Sequence, residues 1–145
     1  MSIPVIKFLG EKHPLSNFYQ SDFSIHKIVF PTVEHFYQSE KPMDIRDQIK
    51  ITIAKTPQEA KKVGREVICR PGWDKIRLRV MWRALNTKFR QSDHLKAYLL
   101  GTGDSILIED NHYDNYWGIG NGTGKNMLGK MLMLLRKKLR EEMEK

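Results

Sequence analysis

The sequence predicts an α+β fold: a compact single domain over residues 1–145, mostly helical, with a small antiparallel sheet. Apolar residues recur at helical spacing in several long stretches, while short β-branched and aromatic runs lie near the start and at Ile106-Leu107-Ile108. No repeat, low-complexity linker or shift in composition divides the 145 residues. Hydrophobic residues make up 40% of the chain, enough for a core without disulfides or metal.

Taken in order, Val5–Leu9 reads as a strand, and Phe23–Ile25 and Ile28–Phe30 flank His26-Lys27 as a hairpin. Thr32 caps a helix over Val33–Lys41, and Asp44 caps another in which Ile45, Ile49 and Ile53 recur at i+4. Thr56-Pro57-Gln58-Glu59 is a capping box with proline at the first helical position, opening a helix to about Ile68. Pro71-Gly72 breaks the chain before a long helix, Trp73–Arg90, with Leu78, Met81, Leu85 and Phe89 as its apolar stripe and Trp82 beside them. Asp93–Leu100 is a further helix stopped by Gly101-Thr102-Gly103, and Ser105–Glu109 contains a short strand. The last helix starts near Asn126, with Met127, Leu128, Met131, Leu132, Leu135 and Leu139 facing inward.

The net charge of +8 suits an anionic partner, a nucleic acid or a phosphorylated metabolite. The basic residues read as dispersed, and runs such as Arg136-Lys137-Lys138-Leu139-Arg140-Glu141-Glu142 as solvated helix faces. The lone Cys69 excludes an internal disulfide, fits a cytoplasmic setting, and reads as a small buried or half-buried side chain. The N-terminal segment lacks the apolar stretch of a signal peptide, and no apolar run is long enough to span a bilayer.

Two segments point to chemistry. On the Val33–Lys41 helix, Glu34, Gln38 and Lys41 share a stripe at i, i+4 and i+7, beside the apolar face of Val33, Phe36 and Tyr37. A carboxylate at the margin of a buried face suits acid–base work; an ordinary Glu–Lys surface pair gives the same pattern. The second segment is Asp114-Asn115-Tyr116-Trp117-Gly118-Ile119-Gly120-Asn121-Gly122-Thr123-Gly124-Lys125-Asn126. Its glycines let backbone approach a ligand closely, and a helix start with free N–H groups would seat an anion. A Gly-rich connector explains the glycines but not Tyr116-Trp117. The segment is not a P-loop, because Ile119 and Asn126 stand where that motif needs Gly and Ser or Thr. The chain ends too soon after it for a dinucleotide-binding βαβ unit. The five histidines show no metal-ligand spacing, and no Gly-x-Ser-x-Gly elbow occurs. Carboxylates, aromatics, amides and basic groups remain, suited to a pocket that stacks a base, holds phosphate and stabilises a cationic sugar.

Five segments together resemble one family. They are Leu15-Ser16-Asn17-Phe18-Tyr19; Phe30-Pro31-Thr32-Val33-Glu34-His35-Phe36-Tyr37-Gln38; Gly64-Arg65 with Pro71-Gly72-Trp73-Asp74 and Arg79-Val80-Met81; Leu100-Gly101-Thr102-Gly103-Asp104; and Asp114-Asn115-Tyr116-Trp117-Gly118 with Gly124-Lys125-Asn126-Met127-Leu128-Gly129. In this order they resemble the NADAR, or YbiA-like, family over about residues 7 to 140. The resemblance implies a compact α+β domain that hydrolyses N-glycosidic bonds, in phosphoribosylated riboflavin-pathway intermediates or in ADP-ribosylated guanine of nucleic acid. By motif position it implies Glu34, Trp73, Asp114 and Trp117 as essential, with Glu34 and Asp114 catalytic. It implies Asn17, Lys41, Arg65 and Asn126 as ligand-orienting, with Gly118 and Gly120 bringing backbone to the ligand. An ADP-ribosyl or phosphoribosyl substrate, free or within DNA or RNA, is the expected partner. No cofactor, metal or membrane is expected. The competing class is a non-catalytic ADP-ribose or nucleotide-binding module, which has no use for Glu34.

Overall fold

Most helices begin where a short polar side chain can hold the first turn. Thr32, Asp44, Thr56 and Ser92 accept hydrogen bonds from the backbone N–H groups of His35, Arg46, Glu59 and Leu95, which the helices leave without intrahelical partners. The computed structural model describes residues 2–145. The order is β1 (Val5–Phe8), β2 (Phe23–Ile25), β3 (Ile28–Phe30), α1 (Val33–Ser39), α2 (Ile45–Thr52), α3 (Pro57–Glu66), α4 (Trp73–Gln91), α5 (Asp93–Gly101), β4 (Ile106–Glu109) and α6 (Met127–Met143). This is the mostly helical α+β fold the sequence predicts. The chain forms two compact units: one of Asn17–Gln91, the other of Ser92–Lys145 with the segment ending at Ser16.

In the Asn17–Gln91 unit, β2 and β3 form the expected antiparallel hairpin, with Phe23 opposite Phe30 and Ile25 opposite Ile28. His26 and Lys27 turn it with φ of 53° and 67°, the left-handed pair that a two-residue hairpin turn requires. The Phe30 and Phe36 rings meet edge to face at 5.0 Å, with Phe23 beside both. Helix α1 packs against α2, α3, α4 and β3, and all seven of its residues are buried. Its polar residues therefore need internal partners. His35 lies between Thr32 Oγ1 (2.8 Å) and the Ala54 carbonyl (2.9 Å), and burial lowers its pKa. The helix stops at Ser39 rather than Lys41, because the ring of Pro42 disfavours helical angles at the residue before it.

Some expected faces differ. The α2 residue in the core is Ile51, packed with Ala54, Ala60 and Val63. Ile45, Ile49 and Ile53 are exposed and line an open groove with Ile28 and Phe30. On α4, Met81, Leu85 and Phe89 are buried as expected, Leu78 is exposed, and Lys88 is buried at 2% exposure. Desolvation lowers the Lys88 pKa to about 7, and its ammonium lies over the Tyr19 and Phe89 rings.

In the other unit, β1 and β4 pair in parallel, with Val5 opposite Ile106 and Phe8 opposite Glu109. An all-antiparallel sheet was the expectation; two strands separated by some hundred residues of intervening chain have no tight turn to force antiparallel pairing. Helix α6 packs on β4 and α5 through Leu128, Met131, Leu132, Leu135 and Leu139, while Met127 is half-buried. Arg136 departs from the solvated reading of its run, being buried with its guanidinium donating to Thr102 Oγ1 at 2.9 Å. No described helix is long and apolar enough to cross a membrane.

Candidate functional site

Glu34 sits in the first turn of α1 at 7% exposure, its N–H donating to the Asn17 carbonyl at 3.1 Å. One turn on, Gln38 Nε2 donates to Glu34 Oε1 at 2.7 Å, the i, i+4 contact that the stripe implies. The slot for Gln38 exists because position 64 of α3 is glycine: a Cβ there would run into the Gln38 amide. Gln38 Oε1 and Asn17 Oδ1 are both buried and accept no hydrogen bond from the protein. An orphaned buried acceptor costs about 1–3 kcal/mol, a cost that a hydrogen-bond donor carried by a ligand would offset.

Lys41 follows α1 and is half-buried, its ammonium 5.7 Å from the centre of the Tyr37 ring. Burial lowers its pKa, Cys69 and Glu34 partly offset this, and Arg65 and Lys61 lower it further. Lys41, Glu34, Arg65, Lys61 and Cys69 thus interact within one electrostatic neighbourhood. Tyr37 and the buried Trp73 pack at 5.3 Å between ring centres. The backbone ties this region together: the Arg70 N–H donates to the Lys41 carbonyl at 2.7 Å, and Pro42 bridges to Cys69. Cys69 is exposed, not buried as expected, because the chain leaving α3 runs along the surface here. Of the residues anticipated in this unit, Lys41 feels the charges of both Glu34 and Arg65, Asn17 touches Glu34 through its backbone, and Trp73 packs on Tyr37.

Asp114, Trp117, Gly118, Gly120 and Asn126 lie in the other unit, on one loop. Asp114 Oδ1 accepts from the N–H groups of Tyr116 (2.9 Å) and Trp117 (2.8 Å), a turn that sets the two rings edge to face at 4.8 Å. The expectation of free N–H groups at the start of α6 is corrected. The carbonyls of Asn115, Tyr116, Trp117 and Gly118 accept from Lys125, Met127, Leu128 and Asn126 at 2.8–3.1 Å, so the loop itself occupies the helix start. The close approach its glycines permit is of the loop to itself: a Cβ at Gly124 would stand 2.5 Å from the Gly118 carbonyl oxygen, and Gly120 turns with φ of +54°. Asn126, left-handed at φ 50°, has both ends of its amide on β4: Oδ1 accepts from the Glu109 N–H and Nδ2 donates to the Leu107 carbonyl, each at 2.9 Å. Among the described residues no group of three or more His, Cys, Asp or Glu could hold a metal ion.

Sequence reasoning set Gln38 on the Glu34 stripe and quoted Gly64 beside Arg65, without giving either a role. A glycine inside a helix costs about 1 kcal/mol relative to alanine, which is the signal that something must pass close to it.

The NADAR domain pattern matches residues 7–140. The chain is 37% identical over 127 residues to the N-glycosidase YbiA of Escherichia coli, a match covering 86% of this chain and 79% of that protein. It is 38% identical over 130 residues to a riboflavin biosynthesis protein of Vibrio vulnificus and 37% identical over 142 residues to the chloroplastic riboflavin biosynthesis protein PYRR of Zea mays. It spans only 35% and 23% of the length of those two proteins. The NMR structure of Escherichia coli YbiA superposes with a TM-score of 0.90 at 34% identity, covering 100% of this chain and 90% of that one. With a family pattern across nearly its whole length and relatives of this similarity, the chain belongs to the NADAR domain family.

Proposed function

We propose that the chain hydrolyses the N-glycosidic bond of an N-ribosyl phosphate or ADP-ribosyl substrate. The observation that carries this reading is Glu34: a buried carboxylate held by Gln38, with Lys41 and Arg65 in its electrostatic surroundings. The names of the relatives support it, N-glycosidase for one group and riboflavin biosynthesis for the other. Phosphoribosylated riboflavin-pathway intermediates and ADP-ribosylated guanine are the two substrate forms proposed.

Cleaving a C–N bond at an anomeric carbon passes through a state with positive charge spread over the ring oxygen and anomeric carbon. The Glu34 carboxylate stabilises that charge and, by accepting a proton, turns a water into the nucleophile; the bond's electron pair leaves with the base. Lys41 and Arg65 hold the phosphate, Arg65 with a fork that suits two phosphate oxygens. Asn17 and Gln38 offer their unfilled acceptors to substrate hydroxyl or amino groups, and Trp73 walls the base side. In the other unit, Asp114 holds the turn that sets Tyr116 and Trp117. Gly118 and Gly120 shape the loop's backbone, and Asn126 fixes that loop to β4.

The test is a panel of riboflavin-pathway intermediates, NAD and ADP-ribosylated guanine in DNA, followed by mass analysis for released ribose phosphate or ADP-ribose. Release from one of them is expected, with Glu34→Gln lowering kcat on the order of a hundredfold or more while binding changes little. Tight binding without release would make the chain a non-catalytic binding module, and full turnover by Glu34→Gln would remove the assigned carboxylate.

A further inference from the structure

Nearly all of the excess positive charge lies in residues 17–91, and on α4 it is ordered rather than dispersed. At 3.6 residues per turn, Lys75, Arg79, Arg83 and Arg90 fall within about 80° around the helix. All four are exposed. The sole carboxylate on α4, Asp74, points about 100° away from Lys75. Lys75, Arg79 and Arg83 make no ion pair among the described residues. Arg83 donates to His26 Nε2 at 2.8 Å, a contact that orients its guanidinium, and Arg90 donates to Asn86 Oδ1. At the edge of this stripe, about 20° from Lys75 on the side away from Arg83, lies the half-buried indole of Trp82.

We propose that this face of α4 binds a single strand of nucleic acid, its phosphates on Lys75, Arg79 and Arg83 and a base against Trp82. The ridge from Lys75 to Arg90 is about 22 Å long at 1.5 Å per residue, with its first three cations about 6 Å apart. At roughly 3.4 Å of rise per nucleotide, that length tracks about six phosphates of one strand. A row of evenly spaced cations matches a regular polyanion better than the irregular charge of an acidic protein. A lipid surface fits poorly, because the apolar face of α4 (Met81, Leu85 and Phe89) is buried in its own unit and has nothing to insert. Trp82 decides between one strand and two. A base in a duplex is stacked on its neighbours, whereas a base in a single strand offers its face to an aromatic ring. The inference does not depend on the hydrolase reading, since the ridge and its probe involve no scissile bond.

The experiment is fluorescence anisotropy of the full chain with an unmodified labelled oligothymidine of about twelve nucleotides, roughly twice the ridge's reach. Affinity should fall with salt at a log–log slope of about −0.7 per contacted phosphate, hence about −2 to −3 in all. Arg79→Ser should reduce that slope by about one contact, and the triple change Lys75→Ser, Arg79→Ser and Arg83→Ser should remove measurable binding. Trp82→Leu should weaken binding about tenfold or more, with Trp82→Tyr restoring most of it; that rescue separates stacking from a packing defect. The proposal is overturned by wild-type affinity in the triple variant, by equal affinity for duplex and single strand, or by stronger binding to phosphatidylserine vesicles than to the oligonucleotide at the same ionic strength.

Discussion

Asn126 offers the sharpest test of how the Gly-rich loop is held. Its side chain makes two hydrogen bonds to β4, and its backbone is left-handed at φ 50°, ψ 44°. Asn126→Ala removes both bonds, leaves the Glu109 N–H and Leu107 carbonyl without those partners, and puts a residue intolerant of left-handed angles where asparagine is tolerated. Each orphaned backbone group costs about 1–3 kcal/mol and the backbone strain about 1 kcal/mol more. With the site only part-buried, the lower half of that range applies, and the expected loss is about 3 kcal/mol. For a chain of this length that lowers Tm by roughly 6–12 °C. Asn126→Gly removes the same bonds without the strain, so it should lie about 1 kcal/mol above the alanine variant. Urea denaturation of the three proteins by circular dichroism measures all of this. Either Asn126→Ala within about 0.5 kcal/mol of wild type, or Asn126→Gly equal to wild type, would refute the reasoning.

Two further predictions concern the Asn17–Gln91 unit. Because burial holds the Lys88 pKa at about 7 against 10.5 for a free lysine, the unfolded chain binds more protons in that window. Stability should therefore rise as pH goes from about 7 towards about 10.5, by at most about 1.4 kcal/mol per pH unit, and Lys88→Met should flatten that rise in denaturation curves taken across the range. Gly64→Ala should destabilise by about 1–3 kcal/mol and lower turnover, because its Cβ displaces the amide that holds Glu34. In a Gln38→Ala background the same change should cost almost nothing, and additive losses in that double-mutant cycle would count against the slot.

What could be read from the sequence was local. The caps at Thr32, Asp44 and Thr56 are decided by one side chain and the next three residues, and each was legible. The hairpin was legible for the same reason, although His26 and Lys27 carry positive φ without being glycine or asparagine. The Glu34–Gln38 contact follows from helical periodicity alone. Periodicity says which residues share a face but not which face is inside, so the α2 isoleucines read as a stripe without revealing that Ile51 takes the core. The parallel β1–β4 pairing is non-local and left no mark in either strand. Glycine signals close approach without naming what approaches; at Gly64 it was Gln38, and at Gly124 the loop's own carbonyl.

The pairing of Val5–Phe8 with Ile106–Glu109 also sets an order of assembly during synthesis. The Asn17–Gln91 unit is one continuous segment, so every contact within it is available once Gln91 has emerged. The other unit is discontinuous: β1 is made before the Asn17–Gln91 segment but must wait for β4, and for α6 to pack on it, which are made after that segment. Contacts of such long sequence separation form slowly, because the intervening chain must be closed before they stabilise anything. The segment that carries Glu34 can therefore fold first, and the loop of Asp114 and Trp117 takes shape only when the final helix closes its end.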